Sequence, residues 1–397
     1  MKKQILTLTL IVLSIQSFAQ WTKIPSGTTT NLKDVHFPSD SVGYAVGDYG
    51  LVLKSNDTGN TWLTVHTDLA LSFKSVFFTS EDTGYAAGGS LYKTTNGGAN
   101  WAEILTDSLN QIIEVYFVNK TLGFASGNKL YKTTNSGISW TPINLNNVFS
   151  SIYFPSDSVG YFIGGPDFGS PLFKTVNRGQ TYTPITNGFQ SIKESIHFIN
   201  DSVGYMCGWY NGVLVKTTNG GINWQQIDTI NWPQCFDVYF LDENVGYYID
   251  NGGGTYKIIN TIDGGASWTT QLTGNGIWLN AFHYIYLTTA ITVGDSGTIY
   301  KTTNGGSIGI KENQFIQSVT TIFPNPFSSS TTLHSDKIFK NAILTIYNLF
   351  GQQVKQIKNI FGQTITLYRD NLPTGLYFIQ LIQDNKLIKI DKLVITD

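Results

Sequence analysis

Two aspartates occupy the same place in two copies of a short repeat: Asp48 in Gly47-Asp48-Tyr49-Gly50 and Asp295 in Gly294-Asp295-Ser296-Gly297. Cleaving a glycosidic bond takes two carboxyl groups roughly 5–9.5 Å apart, and this is the best pair in the chain. The same tetrapeptide also reads as a hairpin turn whose aspartate bonds its own backbone. His36, His197 and His283 share one repeat position, where other copies carry Phe77, Tyr116, Tyr153 and Tyr239. That points to a slot for packed aromatics rather than a ring of metal ligands. There is no Cys/His ligand spacing, phosphate loop or nucleophile elbow, so neither metal nor cofactor is expected. Cys207 and Cys235 fall in adjacent repeats. They read either as a disulfide or as two small core residues, and spacing does not decide between these.

A second group stands out by breaking the repeat. Six of the nine tryptophans keep its register, whereas Trp209, Trp232 and Trp278 do not. These three, with Tyr49, Phe168 and Tyr210, fall in one class of loop, near Asp48, Asp167, Asp250 and Asp295. Aromatic planes flanked by carboxylates suit stacking on sugars or anchoring of peptide side chains. The alternative is that they cap the structure and bury one another.

The positioning elements are legible in the spacing. Trp62, Trp101, Trp140, Tyr182, Trp224 and Trp268 each end the same turn, 39, 39, 42, 42 and 44 residues apart. A period near 40 with several strands in each copy means propeller blades. A seventh turn begins at Thr302 and has Gly309 where the aromatic belongs, while Trp21 lies 41 residues before Trp62. Trp21 to Pro25 is therefore expected as the outer strand of the seventh blade, closing the ring and removing its open edge. Inner strands read Val35-His36-Phe37, Val76-Phe77-Phe78, Val115-Tyr116-Phe117 and onward to Phe282-His283-Tyr284. The fold class is all-β: a seven-bladed β-propeller closed by an N-terminal strand, then a small C-terminal β-sandwich.

The turn Ser55 to Trp62 meets the pattern Ser-x-Asp-x-Gly-x-Thr-Trp and resembles the bacterial neuraminidase-type Asp-box (BNR) repeat. The combination V-x-F, V-G-Y-A-x-G and K-T-T-N-G-G-x-x-W is more similar still to the propellers of photosystem II assembly and stability factors. That resemblance implies seven blades and leaves activity open, because one fold hosts many functions. Sialidases grip their substrate's carboxylate with three arginines, whereas this chain has two, Arg178 and Arg369, so the resemblance does not extend to sialidase activity.

The ends give the address. Lys2 and Lys3, an apolar run from Ile5 to Ile15, and Ser17 and Ala19 make residues 1–19 a signal peptide. No later run is long enough to span a membrane. Residues 20–307 are assigned to the propeller, 308–319 to a linker and 320–397 to the tail. The tail's Pro324-Asn325-Pro326, Ile346 to Gln352, Leu372 to Phe378 and Lys392 to Ile395 resemble the C-terminal sorting domain of the type IX secretion system. This implies the type IX machinery as a partner and an exported protein, attached to the outer-membrane surface or released. Residues 20–315 hold 15 basic and 22 acidic residues, a net of −7, which argues against nucleic acid and anionic membranes. The resulting expectation is a non-enzymatic binding module for a glycan or surface protein. Its rivals are a carbohydrate-active hydrolase or lyase using Asp48 and Asp295, and a scaffold for assembling another surface protein.

Overall fold

The computed structural model describes residues 21–106, 111–145, 147–164, 171–185, 192–209, 213–229, 234–286, 288–304, 320–348, 352–383 and 386–397. The expected signal peptide and linker lie outside them. The chain divides into two compact units, Met1–Ile308 and Gly309–Asp397.

The first unit holds seven four-stranded antiparallel sheets among its described residues. Six are simple meanders, the first running Leu32–His36, Gly43–Gly47, Val52–Ser55 and Leu63–His66. The last joins Leu279–Tyr286, Thr289–Gly294 and Thr298–Thr302 to Thr22–Lys23, with Thr22 opposite Lys301 and Lys23 opposite Tyr300. Each sheet shares an apolar core with the next. Tyr44 and Val46 pack on Phe73 and Val76, and Tyr161 and Ile163 on Ile196 and Phe198. The seventh sheet packs back on the first, Ile291 and Val293 meeting Leu32, Val35 and Trp62. Trp21 is buried between the sixth and seventh, against Phe282 at 5.5 Å.

The repeat's residues explain these seams. The tyrosine of G-Y stacks on the last phenylalanine of the next V-x-F, Tyr44 on Phe78 at 3.6 Å and Tyr161 on Phe198 at 3.8 Å. The glycine ahead of each tyrosine makes room for a ring: a Cβ on Gly84 would lie 2.6 Å from Phe78. The lysine of K-T-T-N lies over the tyrosine, and both reach the next sheet's turn. Lys93 Nζ and Tyr85 OH donate to Ser136 O at 2.9 and 2.7 Å. The turn itself is closed by its first hydroxyl, with Gly98 N donating to Thr94 Oγ1 at 3.0 Å. Gly98 sits at φ +81°, where a side chain would be strained. Trp101 then donates its indole N–H to Gly98 O at 3.0 Å.

In the second unit five strands share one hydrogen-bonded sheet. The long strand Ser330–Tyr347 pairs at its start with Thr320–Phe323 and at its end with Gly375–Gln383, while Gln353–Tyr368 follows it throughout. Register shifts between His334 and Ala342 separate the two halves, and bulged strands bend. Leu333, Leu344, Ile379, Leu381 and Leu393 form its core. Arg369 gathers the end of the chain, donating to Leu372 O, Thr396 O and Thr374 Oγ1 at 3.0, 2.9 and 3.1 Å. Among the described residues no helix is long and apolar enough to cross a membrane.

Candidate functional site

Asp48 and Asp295 head two-residue hairpin turns in which both central residues have positive φ: Tyr49 +57° and Gly50 +56°, Ser296 +54° and Gly297 +66°. This is the mirror-image turn that matches strand twist. Backbone bonds close both turns, Leu51 N to Asp48 O at 3.2 Å and Thr298 N to Asp295 O at 3.1 Å. The carboxylates are therefore free to look elsewhere, and the expectation that they bond their own turns is corrected. Asp48 accepts from Asn31 Nδ2 at 3.0 Å and Ser72 Oγ at 2.9 Å, and Asp295 from Asn280 Nδ2 at 3.1 Å. Between them stands Lys33, its Nζ 4.0 Å from Asp48 and 3.6 Å from Asp295. Asn31 Oδ1 takes Ser296 N at 3.0 Å, and Asn280 also donates to Leu32 O at 2.7 Å. The network joins the seventh sheet to the first and second. Half-exposed ion pairs contribute little stability, so what it supplies is fixed geometry.

Apolar side chains flank this network. Tyr49 is 57% exposed and Trp278 42%, the latter packed on Phe236 at 5.5 Å. Trp278 O accepts Asp295 N at 2.8 Å, which ties the tryptophan to the acid. Leu69, which the reading of loops overlooked, is 85% exposed on a connection held by Asp68 N to Tyr49 O at 2.9 Å. Tyr49 follows Asp48 in its turn, the connection carrying Leu69 is bonded to the Tyr49 carbonyl and Asp295 to the Trp278 carbonyl, so all three exposed side chains stand on backbone tied to the Asp-Lys-Asp centre. The signal that finds Leu69 is a leucine in the short connection that follows the strand Leu63–His66.

Other candidates fare differently. Phe168, Tyr210 and Trp232 lie outside the described residues, and Trp209 ends the strand Gly204–Trp209 with its side chain likewise outside them. Asp250 is buried and paired with Lys257 at 3.2 Å, so it is not part of an open surface. Cys207 and Cys235 form a disulfide between the fifth and sixth sheets, with Cα atoms 5.7 Å apart. The histidine slot does more than pack. His36 Nδ1, His197 Nδ1 and His283 Nε2 each accept a backbone N–H of the next sheet, from Phe78, Phe240 and Phe37, all at 3.3 Å. Burial holds them neutral for that task, pushing His197 down to about 3, His283 to about 4 and His36 well below the usual range.

Residues 321–396 match the secretion system C-terminal sorting domain, and residues 13–141 match the photosynthesis system II assembly factor YCF48. The chain thus carries repeats similar to those of YCF48 and a tail similar to the secretion-system sorting domain. Solved structures similar to it include YCF48 bound to a D1 peptide, 19% identical, covering 72% of this chain and 97% of that one with a TM-score of 0.59. YCF48 from Cyanidioschyzon merolae is 22% identical over 71% of this chain and 98% of its own, with a TM-score of 0.60. A GH74 enzyme from Niastella koreensis is 18% identical over 92% and 66%, with a TM-score of 0.51. At such identities the likeness is one of fold. The curated proteins contain no match.

Proposed function

We propose that the protein is an exported, non-enzymatic binding module that holds an extended protein segment on the face built by Tyr49, Leu69 and Trp278. The observation carrying this reading is the Asp48–Lys33–Asp295 centre. Its carboxylates are spent on Asn31, Ser72, Asn280 and Lys33, which leaves a rigid platform with exposed apolar anchors. Preorganised aromatic anchors around a polar centre are what a binding hot spot needs. The YCF48 propeller that holds a D1 peptide supports a protein segment over a sugar as the occupant.

Its scaffold is a seven-bladed wheel, closed by the strand behind Trp21. Seven successive shared cores support that count, and the burial of Trp21 supports the closure. The tail is a small sandwich made by folding its single sheet at the bulges of Ser330–Tyr347, and it delivers the propeller to the outer-membrane surface or beyond.

Peptide and glycan arrays probed with the mature chain test the reading. Saturable capture of peptides, lost in Tyr49→Ala and Trp278→Ala, is the expected result. Release of reducing sugar from a glycan, abolished by Asp48→Asn, would replace it with the hydrolase reading.

A further inference from the structure

The two units differ in charge. Residues 20–315 carry a net of −7, whereas residues 316–397 hold eight basic residues against five acidic ones, a net of +3. Much of that excess falls at one place in the tail. Its two longest strands, Ser330–Tyr347 and Gln353–Tyr368, run side by side and slip register between His334 and Ala342, with Phe339 opposite Gly362 and Ala342 opposite Ile360. Asn341 and Asn359 at φ +56° and Gly362 at +100° turn the paired backbone there. The segments 335–342 and 357–363 that make this bend hold three lysines and one aspartate.

The bend is fixed from within. Phe339, Ala342 and Ile360 are buried in the core of the unit, and Ile357 packs against it. Side chains alternate across a strand, so the residues beside these point outward. Ile338 is 62% exposed and Phe361 66%, and Lys340 and Lys358 are exposed as well. Lys340 is held at its backbone, its N–H donating to Gln383 Oε1 at 2.8 Å. Among the described residues neither lysine has an ion-pair partner. Away from the bend the tail's cations are answered, Lys355 by Asp370 at 2.6 Å and Arg369 by Asp397 at 3.8 Å.

Two apolar side chains with two lysines cover far less than the ~800 Å² per partner that a stable protein interface buries. They match the boundary of an anionic lipid layer, where apolar groups sink below the headgroups and ammonium groups stay among the phosphates. We propose that this bend is a docking tip that seats the tail on an anionic lipid surface, with Ile338 and Phe361 entering the layer and Lys340 and Lys358 holding its headgroups. The tip belongs to the sorting tail and stands apart from the binding face of the propeller. It gives an exported chain a weak, reversible hold on a membrane surface. Each lysine beside such a surface raises partitioning about fivefold, and the attraction fades with salt.

Sedimentation of the full chain with vesicles tests this. Vesicles of phosphatidylcholine with about one-third phosphatidylglycerol should carry down the native protein at low salt, and vesicles of phosphatidylcholine alone should not. Lys340→Glu/Lys358→Glu and Ile338→Ser/Phe361→Ser should each weaken partitioning about tenfold or more. Their thermal midpoints should match the native one, since all four side chains are exposed. Free inorganic phosphate should not compete, because the tip answers a surface rather than one phosphate. Native protein that stays in solution with the anionic vesicles, binding equal in both variants, or binding removed by free phosphate overturns the proposal. Export lost in the variants without any vesicle binding by the native chain also overturns it, and places a protein of the secretion machinery at the bend. Should a variant not fold, Phe361→Cys carrying an environment-sensitive dye decides. Cys207 and Cys235 are bonded to each other, so the dye marks the tip alone. Brighter, blue-shifted emission on the anionic vesicles supports the tip, and unchanged emission contradicts it.

Discussion

The two ends of the blades differ in kind. On the side of the Thr-Thr-Asn-Gly-Gly turns, the sheets use one device over and over: a hydroxyl closing the turn, an aromatic below it, and a lysine and tyrosine crossing to the next turn. On the opposite side, the seventh and first sheets break the pattern with Asp48, Lys33, Asp295 and the exposed Tyr49, Leu69 and Trp278. Repetition marks what holds the molecule together, and departure from it marks what the molecule offers to others. Substitutions on the two sides should therefore separate stability from binding.

The largest effect belongs to the repeated side. Trp62 is buried between the seventh and first sheets, so Trp62→Ala should cost ~3–5 kcal/mol in urea unfolding. A loss below about 1 kcal/mol would place the seam's strength elsewhere. Next comes the single covalent seam. Replacing both Cys207 and Cys235 by Ala should lower stability by roughly 2–4 kcal/mol, and reduction of the native chain should reproduce that loss.

The offered side predicts the reverse. Leu69→Ala and Tyr49→Ala remove exposed side chains, so urea midpoints should stay within about 0.5 kcal/mol of native. The smallest change is Asp263→Asn. Bonds from the Ser267 hydroxyl and backbone hold this carboxylate down to about 2, which contributes stability above its unfolded value that is lost as pH falls toward 2. Equivalent turns use Asn96, Asn135 and Asn219 for the same bond, so at neutral pH the substitution should cost under about 0.5 kcal/mol.

Much of the wheel was legible in the sequence because its signals are local and repeated: an aromatic every forty residues, a glycine where a ring must pass, V-x-F or a near variant of it on the inner strands. Tyr49 and Trp278 stood out because they break that rhythm, and Asp48 and Asp295 because they share one turn of two copies. Lys33 and Asn31 did not, since a lysine and an asparagine at a strand's start read as ordinary surface. The carboxyls of Asp34 and Asp237, which accept N–H groups of the next sheet, were hidden by the bulges. One extra residue shifts the strand's alternation, so Asp34 in Leu-Lys-Asp-Val-His appears to face solvent when it reaches the next sheet. Lining up Asp34, Ser75, Glu114, Ser151, Ser195 and Asp237 ahead of their Val or Ile would have exposed the slot.

The account stands on the face around Asp48, Lys33 and Asp295 being a protein-binding platform. Titration calorimetry of an array-selected peptide into the native chain and into Tyr49→Ala/Trp278→Ala tests it most directly. An affinity at least tenfold weaker in the double variant, with an unchanged thermal midpoint, is what the account predicts. Equal affinity in both proteins would contradict it.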